Sequence, residues 1–401
     1  MDESAAQEPM CLGEEFLQDP PALYRRLQPD GSARPVSLPN KWPGWLATSY
    51  EDVRGLLADP RVSKDFTRVR GLFPPGTGLA FQSALIDNML TTDPPDHTRL
   101  RRLVTKAFTV RAVDQLRPRI EQAADELLDA IQLGSAIDLL DAYALPLPIT
   151  VICELLGVPT TDQRDFRSWS MTFFTMSAPE EVAEANRWLT AYLTGLIAEK
   201  KANPADDLLS ELIQVSDEGS TLSPGETLSM AFLLLFAGFE TTVNLIANGV
   251  LALLNHPDQL ALLRSAPSLL PNAIEEILRF DGPVHIATIR ASTEPIPAGG
   301  TEIPADKLIF ASLLAANRDD DHFPDPDRFD ITRETAGHLA FGRGIHRCVG
   351  APLARLEGRI AIGRLLDRFP GIALNCDLEE LSWRESTLMH GLNSLPVRLD
   401  S

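Results

Sequence analysis

Phe341-Gly-Arg-Gly-Ile-His-Arg-Cys-Val-Gly-Ala-Pro-Leu-Ala-Arg-Leu-Glu357 is the stretch on which the reading of this chain turns. Cys348 stands among Gly342, Gly344 and Gly350, just ahead of a helical apolar pattern at Leu353, Leu356 and Ile360. Pro352 suits the first turn of that helix, where its missing N–H costs nothing. Glycines let a backbone turn tightly and approach a bulky group, and free N–H groups leading into a helix N-terminus favour an anion. A cysteine held there favours the thiolate, which is a nucleophile or a metal ligand. On residue type alone, a buried structural cysteine is the commoner fate. A nucleophile also stays open, although no His stands in an obvious base role with an orienting partner.

The string Phe-Gly-x-Gly-x-His-x-Cys-x-Gly, six matched positions within ten residues, resembles the haem-binding loop of the cytochrome P450 family. The resemblance implies haem b with Cys348 as the ligand of its iron, a thiolate that favours O–O cleavage. It also implies Phe341, Gly342 and Gly350 packed around that loop, and His346 reaching a haem propionate. Arg343 and Arg347 flank the ligand where a His and an aromatic are frequent in the family, which makes this face more basic.

Working outward, composition bounds the rest. The 401 residues, 44% hydrophobic and 23% charged, are ordinary for a globular protein with a large core. A net charge of −20 argues against nucleic acid as a partner. Four cysteines, Cys11, Cys153, Cys348 and Cys376, lie far apart and suggest neither a zinc site nor a disulfide framework. The apolar run from Ala231 to Phe239 is too short to span a bilayer, so no membrane span is expected. The acidic N-terminus lacks the features of a signal peptide, and the expected location is cytoplasmic.

Upstream of the loop, Ser223-Pro224-Gly225-Glu226 has capping-box spacing and opens a helix that could run to Leu254. Within it, Ala237-Gly238-Phe239-Glu240-Thr241-Thr242 places a carboxylate in an apolar run, which read alone marks a helix surfacing at Glu240. Gly238 costs ~1 kcal/mol there relative to Ala. The string resembles the family's oxygen-binding segment, where the helix opens a groove; that implies Ala237 and Gly238 at the cofactor, with Glu240 and Thr241 handling protons. In the helix expected from Asp96 to Phe108, His97 and Arg101 share a face with Leu100 and Val104 at ~100° per residue. Alone, both would reach solvent; by resemblance they bind haem propionates, as does Arg290. Glu276 and Arg279, three apart, match the family's buried Glu-x-x-Arg pair.

Other expected elements are short helices at Pro21–Leu27 and Tyr50–Leu57, a strand at Trp45–Thr48, and strands within Ile286–Thr293 and Glu302–Ile309. Residues up to Pro20 read as mobile, Val62 to Pro95 as a long substrate-covering loop, Ser177–Pro179 as a lid, and Leu388–Leu399 as a terminal hairpin. The neighbouring Asp319, Asp320 and Asp321 read as a solvated turn.

The fold expected is mainly α with a small β region, one haem-binding domain over 21–401 with the long central helix over the haem. The implied activity is a monooxygenase that activates dioxygen with two electrons and hydroxylates or epoxidises a bulky apolar molecule. Trp42–Trp45, Thr242–Gly249 and Ala336–Gly342 look most like bacterial members that oxidise macrolides and other polyketides; steroid and fatty-acid hydroxylases are the alternatives. A peroxygenase is disfavoured because Glu240 and Thr241 are both present, and a haem sensor or carrier because no second axial ligand stands out. Electrons are expected from NAD(P)H through a ferredoxin reductase and ferredoxin that docks on Arg99, Arg102, Lys106, Arg343, Arg347, Arg355 and Arg359 of a monomeric protein. The expected substrate pocket takes Leu90, Phe173, Leu234 and Ala237 from loop, lid and long helix. Val284, Ala287, Thr288 and Leu392 come from the β segments.

Overall fold

The structure, a computed structural model, describes residues 9–27, 32–39, 41–74, 88–172, 179–216 and 218–400. Helices dominate, the longest being Pro224–Asn255, Pro179–Ala202, Val110–Asp129 and Ala351–Arg368. The start of Pro224–Asn255 is fixed reciprocally: Ser223 N donates to Glu226 Oε2 at 2.8 Å and Glu226 N to Ser223 Oγ at 3.3 Å. Two N–H groups that no helix turn can satisfy are thereby paired. By length and composition this helix could cross a membrane, but it is mostly buried in the protein and serves as a core helix.

The stretch read as one domain divides into two compact units. The first comprises the described residues of Met1–Gly78, Ala247–Cys348 and Leu374–Leu395. Its six-stranded sheet has the spatial order Met10–Cys11, Ala33–Ser37, Pro43–Ala47, Leu308–Ala311, Arg290–Ser292 and Val62–Ser63. Pro43–Ala47 runs parallel to Leu308–Ala311, with Trp45 opposite Ile309 and Leu46 opposite Phe310. Alternate residues point to opposite faces: Leu46 and Phe310 pack with Phe16 and Trp42, while Ala47 and Ile309 pack with Val53 and Ala316.

The second unit takes the described residues of Leu79–Ile246, Val349–Ala373 and Pro396–Ser401. Here Val110–Asp129 packs on Ala351–Arg368 and on Pro146–Leu156. Arg364 reaches Glu121 at 3.3 Å, and the buried Tyr143 hydroxyl donates to the Ala361 carbonyl at 2.9 Å.

Several expectations are corrected. Residues 10–18 are ordered rather than mobile: Met10–Cys11 joins the sheet, and Glu14–Gln18 is a helix that buries Phe16 completely. The loop expected from Val62 holds the strand Val62–Ser63 and a helix, Phe66–Gly71, capped by Asp65 through Arg68 N; residues 75–87 lie outside the described set. The run Glu302–Ile309 divides into two strands, Thr301–Ile303 and Leu308–Ala311, around Asp306 at φ 55°. Asp319 is not solvated; it is buried and accepts Tyr50 N at 2.6 Å, capping the Tyr50–Leu56 helix. The terminal hairpin lies earlier than expected: Trp383 pairs antiparallel with Leu392, whereas Pro396–Arg398 pairs with the distant Ala136–Asp138 and Met389 bridges Val284.

Candidate functional site

The cysteine loop belongs to the first unit. Cys348 N donates to the Phe341 carbonyl at 2.9 Å, and Gly342 N donates to the Leu339 carbonyl at 2.7 Å. Leu339 N is fixed in turn by Asn317 Oδ1 at 2.6 Å. Gly344 has φ +73°, and a Cβ there would lie 2.6 Å from the Leu57 carbonyl, so conformation and space both demand glycine. The result is a tied loop that leaves Cys348 exposed, three residues before the Ala351–Arg368 helix. A structural cysteine would be buried; this thiol is presented.

In the same unit Arg290 lies on the strand Arg290–Ser292, buried, with Nη1 donating to the Thr288 carbonyl at 2.5 Å. No carboxylate pairs with it among the described residues, and burial pushes its guanidinium down to about 10. A buried cation held by a carbonyl calls for an anion to complete it. Lys64 converges on the same residue, its Nζ donating to Thr288 Oγ1 at 2.6 Å. Lys64 is buried and was missed in the sequence, where a lysine after a two-residue strand carries no signal.

Glu276 and Arg279, also here, form a two-bond pair at 2.7 and 2.8 Å with both side chains fully buried. Arg279 further donates to the carbonyls of Asn317, Pro326 and Arg328, while Glu276 accepts Asp330 N and Arg333 Nε. The pair thus organises the irregular chain that leads to the cysteine loop.

The second unit contributes the long helix. On this largely buried helix Ala237 is exposed, its neighbours Phe236 and Gly238 are partly exposed, and so is Thr241, one turn on. Thr241 Oγ1 donates to the Ala237 carbonyl at 2.8 Å, and Thr242 Oγ1 to the Gly238 carbonyl at 3.0 Å. Around the groove expected at Gly238 the helix Pro224–Asn255 is unbroken. Packing explains the glycine instead: a Cβ would come within 2.6 Å of Ile152 Cδ1. Glu240, partly buried, points ~100° away from Thr241. On Asp96–Ala107, His97 is buried and Arg101 partly buried on the apolar side. His346 is partly exposed in the cysteine loop.

Of the expected pocket residues, Leu90, Val284 and Thr288 are partly exposed, whereas Leu234 and Ala287 are buried. Leu392 is corrected: it is fully enclosed, its carbonyl taken by Arg384 Nε, and offers no surface to a ligand. Phe173 and the lid at residues 173–178 lie outside the described residues. Arg99 is committed to Glu226 rather than left for a partner, while Arg102, Arg343 and Arg347 are exposed.

The presented thiol and the buried Arg290 fit a haem, one as iron ligand and the other as propionate partner. The family model for cytochrome P450 matches residues 149–375. This chain belongs to the cytochrome P450 family. Cytochrome P450 107B1 of Saccharopolyspora erythraea is 51% identical to this P450 over 97% of each chain. The 6-deoxyerythronolide B hydroxylase of the same organism is 46% identical, covering 89% of this chain and 90% of that protein. The structure of the tirandamycin C-bound P450 monooxygenase TamI is 48% identical with a TM-score of 0.91, covering 98% of this chain and 100% of that one. This P450 is therefore a haem-thiolate monooxygenase with the P450 fold.

Proposed function

We propose that this P450 oxidises a bulky polyketide-type secondary metabolite, macrolides included, with Cys348 as the thiolate ligand of haem iron. The observation that carries the ligand assignment is the tied glycine loop that presents the Cys348 thiol. The substrate class is supported by relatives that hydroxylate 6-deoxyerythronolide B or bind tirandamycin C. Bound haem supplies the reductive activation of dioxygen; the protein supplies ligand, proton path and orientation.

Arg290, His97, Arg101 and His346 are the partners for the propionates. Ala237 and Thr241 leave room on a largely buried helix face. Because the Thr241 hydroxyl gives its proton to the Ala237 carbonyl, its oxygen is set to accept from a water. Glu240, turned aside, is placed to exchange protons with that water from the solvent side. Electrons come from NAD(P)H through a ferredoxin and its reductase, with Arg102 and Arg347 as docking charges on a monomeric cytoplasmic enzyme.

The test is turnover with reductase, ferredoxin and NADPH against macrolides, steroids and fatty acids, scored as product per NADPH consumed. Coupled oxidation of a macrolide is expected. Coupled oxidation confined to steroids or fatty acids would overturn the substrate class, and full activity with peroxide alone would make the enzyme a peroxygenase.

A further inference from the structure

The segments 283–288 and 388–392 are tied to each other by backbone. His285 N donates to the Leu388 carbonyl and His390 N to the Pro283 carbonyl, both at 2.9 Å, around the Val284–Met389 bridge. Behind them lies a run of side chains in the first unit that the oxidation chemistry does not use. His390 Nε2 meets Asp281 Oδ1 at 2.9 Å, and Asn248 Nδ2 donates to the carbonyls of both residues. The His390 ring stacks on Trp383 at 3.8 Å and 15°. Gln18 takes both backbone groups of Trp383: its Nε2 donates to the carbonyl and its Oε1 accepts the N–H, each at 3.0 Å, while Asn393 Nδ2 donates to the same carbonyl at 3.2 Å.

The same N-terminal region reaches the other segment. Phe16 stacks on the buried His285 ring at 4.4 Å and 29°, and the Tyr24 hydroxyl meets His285 Nε2. Burial holds His285 neutral and Tyr24 protonated, so the Tyr24 hydroxyl is the donor available to the His285 ring nitrogen. Two short helices, Glu14–Gln18 and Pro20–Leu27, therefore grip both segments from behind.

We propose that Gln18, Trp383 and His390 form a brace that sets the position of segments 283–288 and 388–392, making Gln18 and His390 positioning residues for substrate. This rests on the reading that Val284 and Thr288 face substrate. Specificity is then governed partly by Gln18 at the end of the short helix Glu14–Gln18. The clamp is bidentate, so shortening the side chain removes both Gln18 bonds, leaves Trp383 to Asn393 and the Leu392 bridge, and loosens the surface on which His390 rests.

The test uses the haem-loaded full chain with Gln18→Ala, approached from the other end by Asp281→Asn. Amide hydrogen exchange at His285 and His390 is expected to rise about tenfold in each, the scale of losing one or two net hydrogen bonds. Imidazole and clotrimazole are the binding probes. Both anchor on iron, but only clotrimazole is bulky, so its Kd is expected to rise about tenfold while that of imidazole is unchanged. Unchanged exchange at both amides in both variants overturns the brace. Equal weakening of the two azoles with loss of the carbon monoxide spectrum also overturns it, showing general destabilisation instead. Val284→Trp tests the underlying reading separately. If it leaves clotrimazole binding unaltered, the segments are not at the substrate, whatever exchange says of the brace.

Discussion

Gly238→Ala turns a packing distance into a measurable sign. In an isolated helix the change is worth ~1 kcal/mol in favour of Ala. Here the new methyl would stand 2.6 Å from Ile152 Cδ1, against an optimum of roughly 3.5–4 Å. Overpacking of that kind costs ~1–3 kcal/mol, so the single variant should be destabilised by up to ~2 kcal/mol. Ile152→Val removes the offending Cδ1 and leaves Cγ1 at 3.6 Å, an ordinary contact. Alone it should cost ~0.5–1.5 kcal/mol for the lost methylene. Together, the added methyl occupies the space the deleted one left, and the double variant should return close to wild type. The coupling energy should therefore be ~1–3 kcal/mol. Urea unfolding midpoints at equal haem content, read as a double-mutant cycle, measure it. Additivity within ~0.5 kcal/mol would show that Ile152 swings aside freely and that packing does not select the glycine.

Reduced protein with carbon monoxide should give the red-shifted Soret band of thiolate-ligated haem; Cys348→His should abolish it, whereas serine at Cys11, Cys153 or Cys376 should not. Glu276→Gln leaves Arg279 charged, fully buried and held by carbonyls alone, and should cost ~3–5 kcal/mol in urea unfolding; a loss below ~1 kcal/mol would mean the pair is not integral to the core. Thr241→Ala should leave azole binding intact but divert NADPH to hydrogen peroxide, seen as a lower product-to-NADPH ratio; unchanged coupling would place the proton network on the substrate. Arg347→Glu should slow reduction by an acidic ferredoxin and flatten its salt dependence, with substrate affinity unaltered.

The parts of the fold legible in the sequence are those whose cause is local. Ser223 and Glu226 announce a helix start because both partners of the capping box lie within four residues. The cysteine loop is legible because its glycines, its His and its Cys are contiguous. What escaped depends on partners far along the chain. Pro396–Arg398 becomes a strand because Ala136–Asp138 is waiting for it, not because residues 388–395 turn back. Gln18 looks like one polar residue in a loose N-terminus until Trp383 is beside it. Asp319 reads as part of a solvated turn, and Lys64 draws no reading, for the same reason: nothing nearby in sequence reveals the Tyr50 amide or the Thr288 hydroxyl that they meet.

The pairing of Trp45 with Ile309 also fixes an order of events during synthesis. Pro43–Ala47 is made early, hydrogen-bonds Ala33–Ser37 on one side, and exposes its other edge until Leu308–Ala311 leaves the ribosome. The 264 positions between Trp45 and Ile309 take roughly 13–50 s to translate at about 5–20 residues per second. For that time an apolar strand edge carrying Leu46 is open to any neighbouring nascent chain. Expression yield should therefore respond to chaperone supply and translation speed more than to the stability of the finished enzyme.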